Sequence, residues 1–196
     1  MSAINEEAID VLFREARTHS VWLPEPVSDE LLHRVWDLAR LGPTGANSGP
    51  LRVVFVRSAE AKERLRPALS PGNVEKTMTA PVTAIFAYDL AFHEKMPQLF
   101  PHNPKMGAHF AANPAAAEAA AKLNATLGAA YFMLAARASG LDCGPMGGFD
   151  GEKVNEVFFA GSQWRANFLC NLGHGDRSKL HPRNPRLSFE EACKVL

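Results

Sequence analysis

The chain has 196 residues, 46% of them hydrophobic, which is enough for one domain spanning 1–196 with a real core. Lysine plus arginine equals aspartate plus glutamate at 21 each, so no global field recruits nucleic acid or an anionic membrane surface, and ligands should be small and held by local chemistry. Cys143, Cys170 and Cys193 form no CxxC pair and suit no disulfide framework, and no apolar run reaches the roughly 20 residues of a membrane span. The opening MSAINEEAIDVLF carries acids where a secretory signal carries bases. A reduced, cytoplasmic setting is expected.

After a first helix ending near ARTHSVW (16–22), SDELLHRVWDLARL (28–41) offers Ser28 as an N-cap and acids in the first turn. Its Leu31, Leu32, Val35, Trp36 and Ala39 fall on one helical face, and Gly42-Pro43 stops it. LRVVFVR (51–57) and PVTAIFAYD (81–89) read as buried strands, with the capped helix SAEAKERLRPAL between them. From Leu90 to Asn113 aromatics, prolines and histidines show no sustained period, the pattern of a long connection that often serves as a lid. Asn113-Pro114 supplies an N-cap and an N1 proline for an alanine-rich helix to about Ser139, closed by Gly140. A short apolar piece at 141–146, a capped helix from about Asp150 and a strand near 165–172 complete an α+β order, too irregular for a regular βαβ array.

Several familiar sites are missing. No GxGxxG or GxxxxGK[ST] follows a strand, and no GxSxG elbow is present. The seven histidines show no HxH or HxxxH spacing, so no metal centre is expected. What remains is a set of polar and glycine-rich corners at element ends, each of which alone would also suit an ordinary surface turn. Arg17 and Thr18 can hold a phosphate by charge and hydroxyl. GPTGANSGP (42–50) crowds glycine and proline around Thr44, Asn47 and Ser48. In GNVEK (72–76), Asn73 and Lys76 share a face if a helical turn forms. GPMGGFD (144–150) places Gly147 and Gly148 where a flat ligand can approach backbone N–H groups. HPRNPRLSFEEA (181–192) brings Arg183 and Arg186 into a final amphipathic turn.

In this order and spacing the corners resemble the FMN-dependent nitroreductase family over nearly the whole chain. That family's Arg-Ser phosphate contact looks like Arg17-Thr18, and its Pro-Ser-x-x-Asn-x-Gln-Pro-Trp loop looks like Pro43-Thr44-Gly45-Ala46-Asn47-Ser48-Gly49-Pro50-Leu51. Its mid-chain Asn and Lys match Asn73 and Lys76, its Pro-x-Gly-Gly turn matches Pro145-Met146-Gly147-Gly148, and its C-terminal Arg matches Arg186. The words ARTH, LRPALSPGN, APVTAI, LFPH, GPMGGFD, FFAGS and PRLSFEEA are most similar to the malonic semialdehyde reductase branch of pyrimidine breakdown. The chain departs from the general pattern at Gly49-Pro50-Leu51, at Asn184, where Arg183 stands as a substitute for the usual second cation, and at Gly173-His174.

The resemblance implies a central, mostly antiparallel sheet flanked by helices, in an intertwined homodimer whose 42–50 loop covers the flavin of the other subunit. It implies FMN as cofactor, NADH or NADPH as hydride donor, and a ping-pong cycle in which the donor leaves before the oxidant takes its place. Arg17, Thr18, Arg183 and Arg186 would hold the phosphate by charge and hydroxyl, and Pro43, Thr44, Asn47, Asn73, Pro145 and Met146 would frame the cofactor. The Gly147-Gly148 turn would present a backbone N–H to flavin N5, and Lys76 would stabilise negative charge near N1 and O2. For a small aldehyde acid, His102, Lys105 and His109 are candidates to meet the carboxylate. The implied reaction is malonic semialdehyde to 3-hydroxypropionate; the alternatives are a broad nitroaromatic or quinone reductase and a flavin-binding protein without turnover.

Overall fold

In the computed structural model, which describes residues 2–196, the chain opens with α1 (Glu6–Ile9), which widens into a π turn over Asp10–Arg14. There follow α2 (Asp29–Ala39), β1 (Leu51–Val56), α3 (Ala59–Leu65), α4 (Pro71–Thr79) and β2 (Val82–Asp89). Then come α5 (Met96–Leu99), α6 (Lys105–Ala112), α7 (Pro114–Ala138), β3 (Asp142–Met146), α8 (Gly151–Phe158), β4 (Trp164–Gly173) and the one-turn α9 (Phe189–Ala192). The strands form one sheet in the order β1-β2-β4-β3, every pairing antiparallel.

Strand periodicity sets the layers. Every residue of β2 is buried, and its side chains divide by parity: Val82, Ala84, Phe86 and Tyr88 join the cluster under α2 and α7, whereas Ile85 and Ala87 join the cluster under α3 and α8. A bulge opposite Phe86 and Ala87, which pair with Phe168 and Ala166, leaves Asn167 as the extra residue. Beyond it the parity of β4 changes, so Phe168 packs under α7 while Ala166 faces the other layer. Asn167 Nδ2 donates to Thr126 Oγ1 of α7 at 2.9 Å, tying the bulge to the helix above it.

Local signals explain most element ends. Ser28 Oγ accepts from Leu31 N at 3.2 Å and caps α2, whose Leu32, Val35 and Ala39 are buried while Trp36 lies at the rim. Gly140 closes α7 at φ 86, in the left-handed region that favours glycine. Asn113 does not cap α7 by its side chain; its Nδ2 donates to His109 O at 2.7 Å and closes α6 instead. Ser58 caps α3, yet the helix is not merely a charged surface element. Its Lys62 is buried, and Nζ donates to Met78 O at 3.3 Å and to Ala80 O, at the C-terminal end of α4. Burial without an acidic partner holds the Lys62 ammonium below its usual pKa.

One expectation is corrected. The stretch 90–113 is not an aperiodic loop: it folds as a 3₁₀ turn over Phe92–Lys95 followed by α5 and α6, with Phe92 and Met96 fully buried. Prolines 97, 101 and 104 break it into pieces too short to show a period, and the Phe92–Phe110 contact at 5.0 Å holds them together. The alanine stripe of α7, Ala117, Ala121, Ala125 and Ala129, is consumed inside the chain against α2 and the sheet. The face that α7 leaves exposed carries Leu123, Leu127 and Tyr131 instead. None of the helices among the described residues is long and apolar enough to cross a membrane.

Candidate functional site

At its start, β3 is joined by the N-terminal segment, where Thr18 bridges Cys143 in parallel and His19 N donates to Cys143 O at 3.1 Å. This pairing holds Arg17 and Thr18 at the edge of a hollow of about 360 Å³, which Arg183 and Arg186 reach from the C-terminal segment. Arg17 donates to His181 O, and Arg183 Nη2 donates to Arg14 O at 2.6 Å and Ala16 O at 2.8 Å, so two arginines fasten the tail to the N-terminal segment. Arg186 bonds only carbonyls of its own turn, at Asn184 and Pro185. Among the described residues no carboxylate lines the hollow, whose chemistry suits an anion. Arg137, from the last turn of α7, also lines it, and its buried Nε has no partner among the described residues. The sequence reading missed Arg137; a cation in the last turn of a helix is ordinarily explained by the helix dipole alone.

At the other end of β3 the chain turns through Gly147 and Gly148 against α4. Asn73 Nδ2 donates to Gly148 O at 2.6 Å, and Ser70 N donates to the same carbonyl at 3.1 Å. A Cβ at Gly148 would lie 2.7 Å from Asn73 Nδ2, so only glycine lets the turn close on the helix. Gly147 is exposed, and a Cβ there would meet nothing within 4 Å, so this backbone faces open space. Met146 is buried, its sulfur accepting from Thr77 Oγ1 at 3.6 Å, and Pro145 is half-buried. Lys76 is half-buried one turn beyond Asn73, and its ammonium has no ion pair among the described residues. From Cys143 to Gly147 is about 13 Å at the rise of a strand. An elongated ligand with an anionic end and a flat polar end fits that arrangement of cationic hollow and open glycine turn.

The 42–50 loop lies apart from both. Thr44 and Asn47 border a separate hollow of about 480 Å³ with Arg52 and Leu99. Asn47 Nδ2 donates to Leu99 O at 2.8 Å, Thr44 Oγ1 accepts from Gly49 N at 3.2 Å, and Gly45 N donates to Asn124 Oδ1 at 2.6 Å. Ala46 at φ 51, Asn47 at φ 50 and Gly49 at φ 49 all stand in the left-handed region, and Pro43 is exposed. The loop is therefore preset within its own chain, and one chain does not bring Thr44 and Asn47 to the β3 site. His102, Lys105 and His109 are exposed and border none of these hollows; His102 rests on Phe100 with ring centroids 3.9 Å apart. A further hollow of about 420 Å³, lined by Leu32, Trp36 and Phe55, contains none of the expected residues.

His19, next to Thr18, is almost wholly buried, with Nε2 3.4 Å from Asp142 Oδ1 and Nδ1 unpartnered. Burial lowers its pKa, a pull that Asp142 opposes and Arg177 and Arg17 reinforce.

The chain is similar to known proteins over its whole length. A protein of Ralstonia nicotianae provisionally named as an NADH dehydrogenase/NAD(P)H nitroreductase is 58% identical over 196 residues, covering 100% of both chains. A provisionally named nitroreductase of Bacillus subtilis superposes with a TM-score of 0.84 at 22% identity, over 98% of this chain and 100% of that one. Another from Exiguobacterium sibiricum, solved in complex with FMN, gives 0.84 at 18% identity over 100% and 99%. The family model described as the nitroreductase family matches residues 14–174, and the chain belongs to that family.

Proposed function

We propose that this nitroreductase-family protein is an FMN-dependent NAD(P)H oxidoreductase that reduces a small aldehyde acid, malonic semialdehyde to 3-hydroxypropionate, as a cytoplasmic homodimer with one domain per subunit. The observation that carries the proposal is the pairing along β3 of an acid-free arginine hollow with an exposed glycine turn beside Lys76. When bound, FMN supplies the hydride acceptor and donor, and the one proton that the aldehyde oxygen takes up with the hydride would come from solvent, so no acid–base dyad is required of the protein. Arg17 and Arg186 would neutralise the phosphate and Thr18 would hydrogen-bond it, with Arg137 as a further cation. Arg183 contributes mainly by holding the tail, since its Nη2 is engaged with Arg14 O and Ala16 O. Asn73 fixes the 145–148 turn, whose Gly147 and Gly148 backbone N–H groups would be available to hydrogen-bond the flavin, and Lys76 would favour negative charge on the reduced cofactor.

The exposed apolar face of Leu41, Leu123, Leu127 and Tyr131 supports the homodimer, because the 42–50 loop starts against it: a Cβ at Gly42 would collide with the Tyr131 ring. A second copy there would bring Thr44 and Asn47 toward the partner's cofactor. The aldehyde is supported by the run of short words from ARTH to PRLSFEEA, and His102, Lys105 or His109 remains the candidate for its carboxylate. The provisional name of the Ralstonia relative supports NAD(P)H as the donor.

The test is a purified protein loaded with FMN and assayed with NADH and NADPH against malonic semialdehyde, nitrofurazone and menadione. Turnover much faster with the semialdehyde is the expected result. Faster turnover of the nitro compound or quinone replaces the substrate class, bound FMN without NAD(P)H oxidation leaves a binding protein, and failure to bind FMN removes the reading altogether.

A further inference from the structure

Lys76 is held from an unexpected side. Its carbonyl belongs to the last turn of α4, where helix geometry leaves carbonyls without intrahelical donors. Two buried side chains from distant parts of the chain reach this one oxygen. Trp22 Nε1 donates to it at 3.1 Å and Asn171 Nδ2 at 3.0 Å, so both lone pairs are engaged. Asn171 is itself fixed, because Thr83 Oγ1 donates to its Oδ1 at 2.7 Å from the neighbouring strand. Asn171 and Thr83 are completely buried and Trp22 is 8% exposed, and a Cβ at Gly144 would lie 3.1 Å from the Trp22 ring. Glycine at 144 leaves the indole the space it needs to reach α4.

We propose that Trp22 and Asn171 are positioning residues that hold Lys76 beside the Gly147-Gly148 turn by jointly donating to its carbonyl. The inference rests on the proposed role of Lys76 at the flavin. The helix is already fixed one turn earlier by Asn73 on Gly148 O. Thr77 on Met146 and Lys62 on the Met78 and Ala80 carbonyls also hold this end of α4, so without the two donors the turn around Lys76 could relax locally and shift its Cα while those contacts and the Asn73 contact persisted. A charge that acts on a neighbouring ring through distance is sensitive to such a shift in a low-dielectric site.

The test compares Trp22→Phe, which keeps an aromatic ring and removes the donor, with the double variant Thr83→Val/Asn171→Leu, which removes the donor without orphaning the Thr83 hydroxyl. Each is made with Lys76 intact and with Lys76→Ala. Midpoint potential and FMN affinity are measured on the loaded protein, and amide exchange over residues 74–79 on the FMN-free protein. With Lys76 intact, each change should speed exchange and lower the potential. That shift corresponds to about a tenfold loss in preference for the reduced cofactor, about 30 mV for a two-electron couple. FMN affinity should change by less than about threefold, because Lys76 favours the reduced over the oxidised state more than it aids binding. In the Lys76→Ala background the same changes should leave the potential where Lys76→Ala alone puts it. An unchanged potential with Lys76 intact, or an equal shift in both backgrounds, overturns the clamp while leaving the enzyme reading standing. Failure of the parent protein to bind FMN overturns both.

Discussion

The two ends of β3 are built in opposite ways. At the Gly147-Gly148 end the neighbours are core elements: Asn73, Thr77 and Lys76 of α4 are fixed by Gly148, Met146, Trp22 and Asn171 through buried or half-buried contacts. At the Thr18 end the cations come partly from a C-terminal segment that contributes no buried residue after Gly175 and is fastened by Arg17 and Arg183. One end is therefore preorganised by the folding of the domain, and the other depends on hydrogen bonds at the surface. A ligand spanning both meets a rigid seat for its flat part and an adjustable one for its charged part.

The sharpest way to break this contrast is Gly148→Val. Its side chain must displace Asn73, so FMN affinity should fall by more than about a hundredfold while the domain loses about 1–3 kcal/mol. Flavin absorbance after desalting and a thermal melt read the two effects, and retained flavin would show that the seat is not rigid. Arg186→Ala should weaken FMN about ten- to a hundredfold with no change in melting temperature, because its bonds are confined to its own turn. A large loss of stability instead would place Arg186 in the fold rather than in the site.

His19 sharpens the comparison from the acid side. Its pKa is lower in the folded chain than in the unfolded one, so the unfolded state binds the proton more readily. Its stability contribution is complete above about pH 6.5 and is lost as pH falls below that value, levelling off below the folded pKa. Each unit of difference is worth about 1.4 kcal/mol. His19→Gln should therefore flatten the stability profile below about pH 6.5 in chemical denaturation, and an unchanged slope would exclude His19 as the origin. The smallest effect is expected for Arg183→Ala. It should leave the melt unchanged, weaken FMN only a few-fold and make residues beyond 180 cleave faster in limited proteolysis. Equal cleavage would mean that Arg17 alone suffices to hold the tail.

What could be read from the sequence was what depends on local periodicity. α2, β1, β2, α7 and β4 follow from spacing, caps and β-branched runs, and Arg17, Thr18, Arg183 and Arg186 do meet around one hollow. The helical pieces of 90–113 are hidden from periodicity because their burial is carried by single residues such as Phe92 and Met96, each in a piece of a turn or two between prolines. The burial of Lys62 leaves no trace in the sequence, because a capped, charge-rich helix gives no sign that one lysine stem crosses beneath another helix. The donors to the Lys76 carbonyl were illegible for a different reason. They join a side chain to a main-chain atom across 54 and 95 residues, and such contacts leave no spacing to detect. The 42–50 loop stands out in the sequence by its glycines and prolines, but the spacing gives no sign that its polar groups are engaged with Leu99, Gly49 and Asn124 of its own chain.

The extra residue at Asn167 gives β4 two reading frames. Upstream of it the strand is written for the layer beneath α8, and downstream the same odd-even count is written for the layer beneath α7. Deleting Asn167 would re-phase the strand more than shorten it. If Phe168 to Leu172 kept their partners, Trp164 and Ala166 would swing to the wrong side of the sheet, and if Trp164 and Ala166 kept theirs, Phe168, Cys170 and Leu172 would be forced out of the core cluster beneath α7. Substituting Asn167 forfeits one hydrogen bond to Thr126, whereas removing it sets two halves of one strand against each other. Among related chains this position should therefore tolerate changes of letter and resist changes of length.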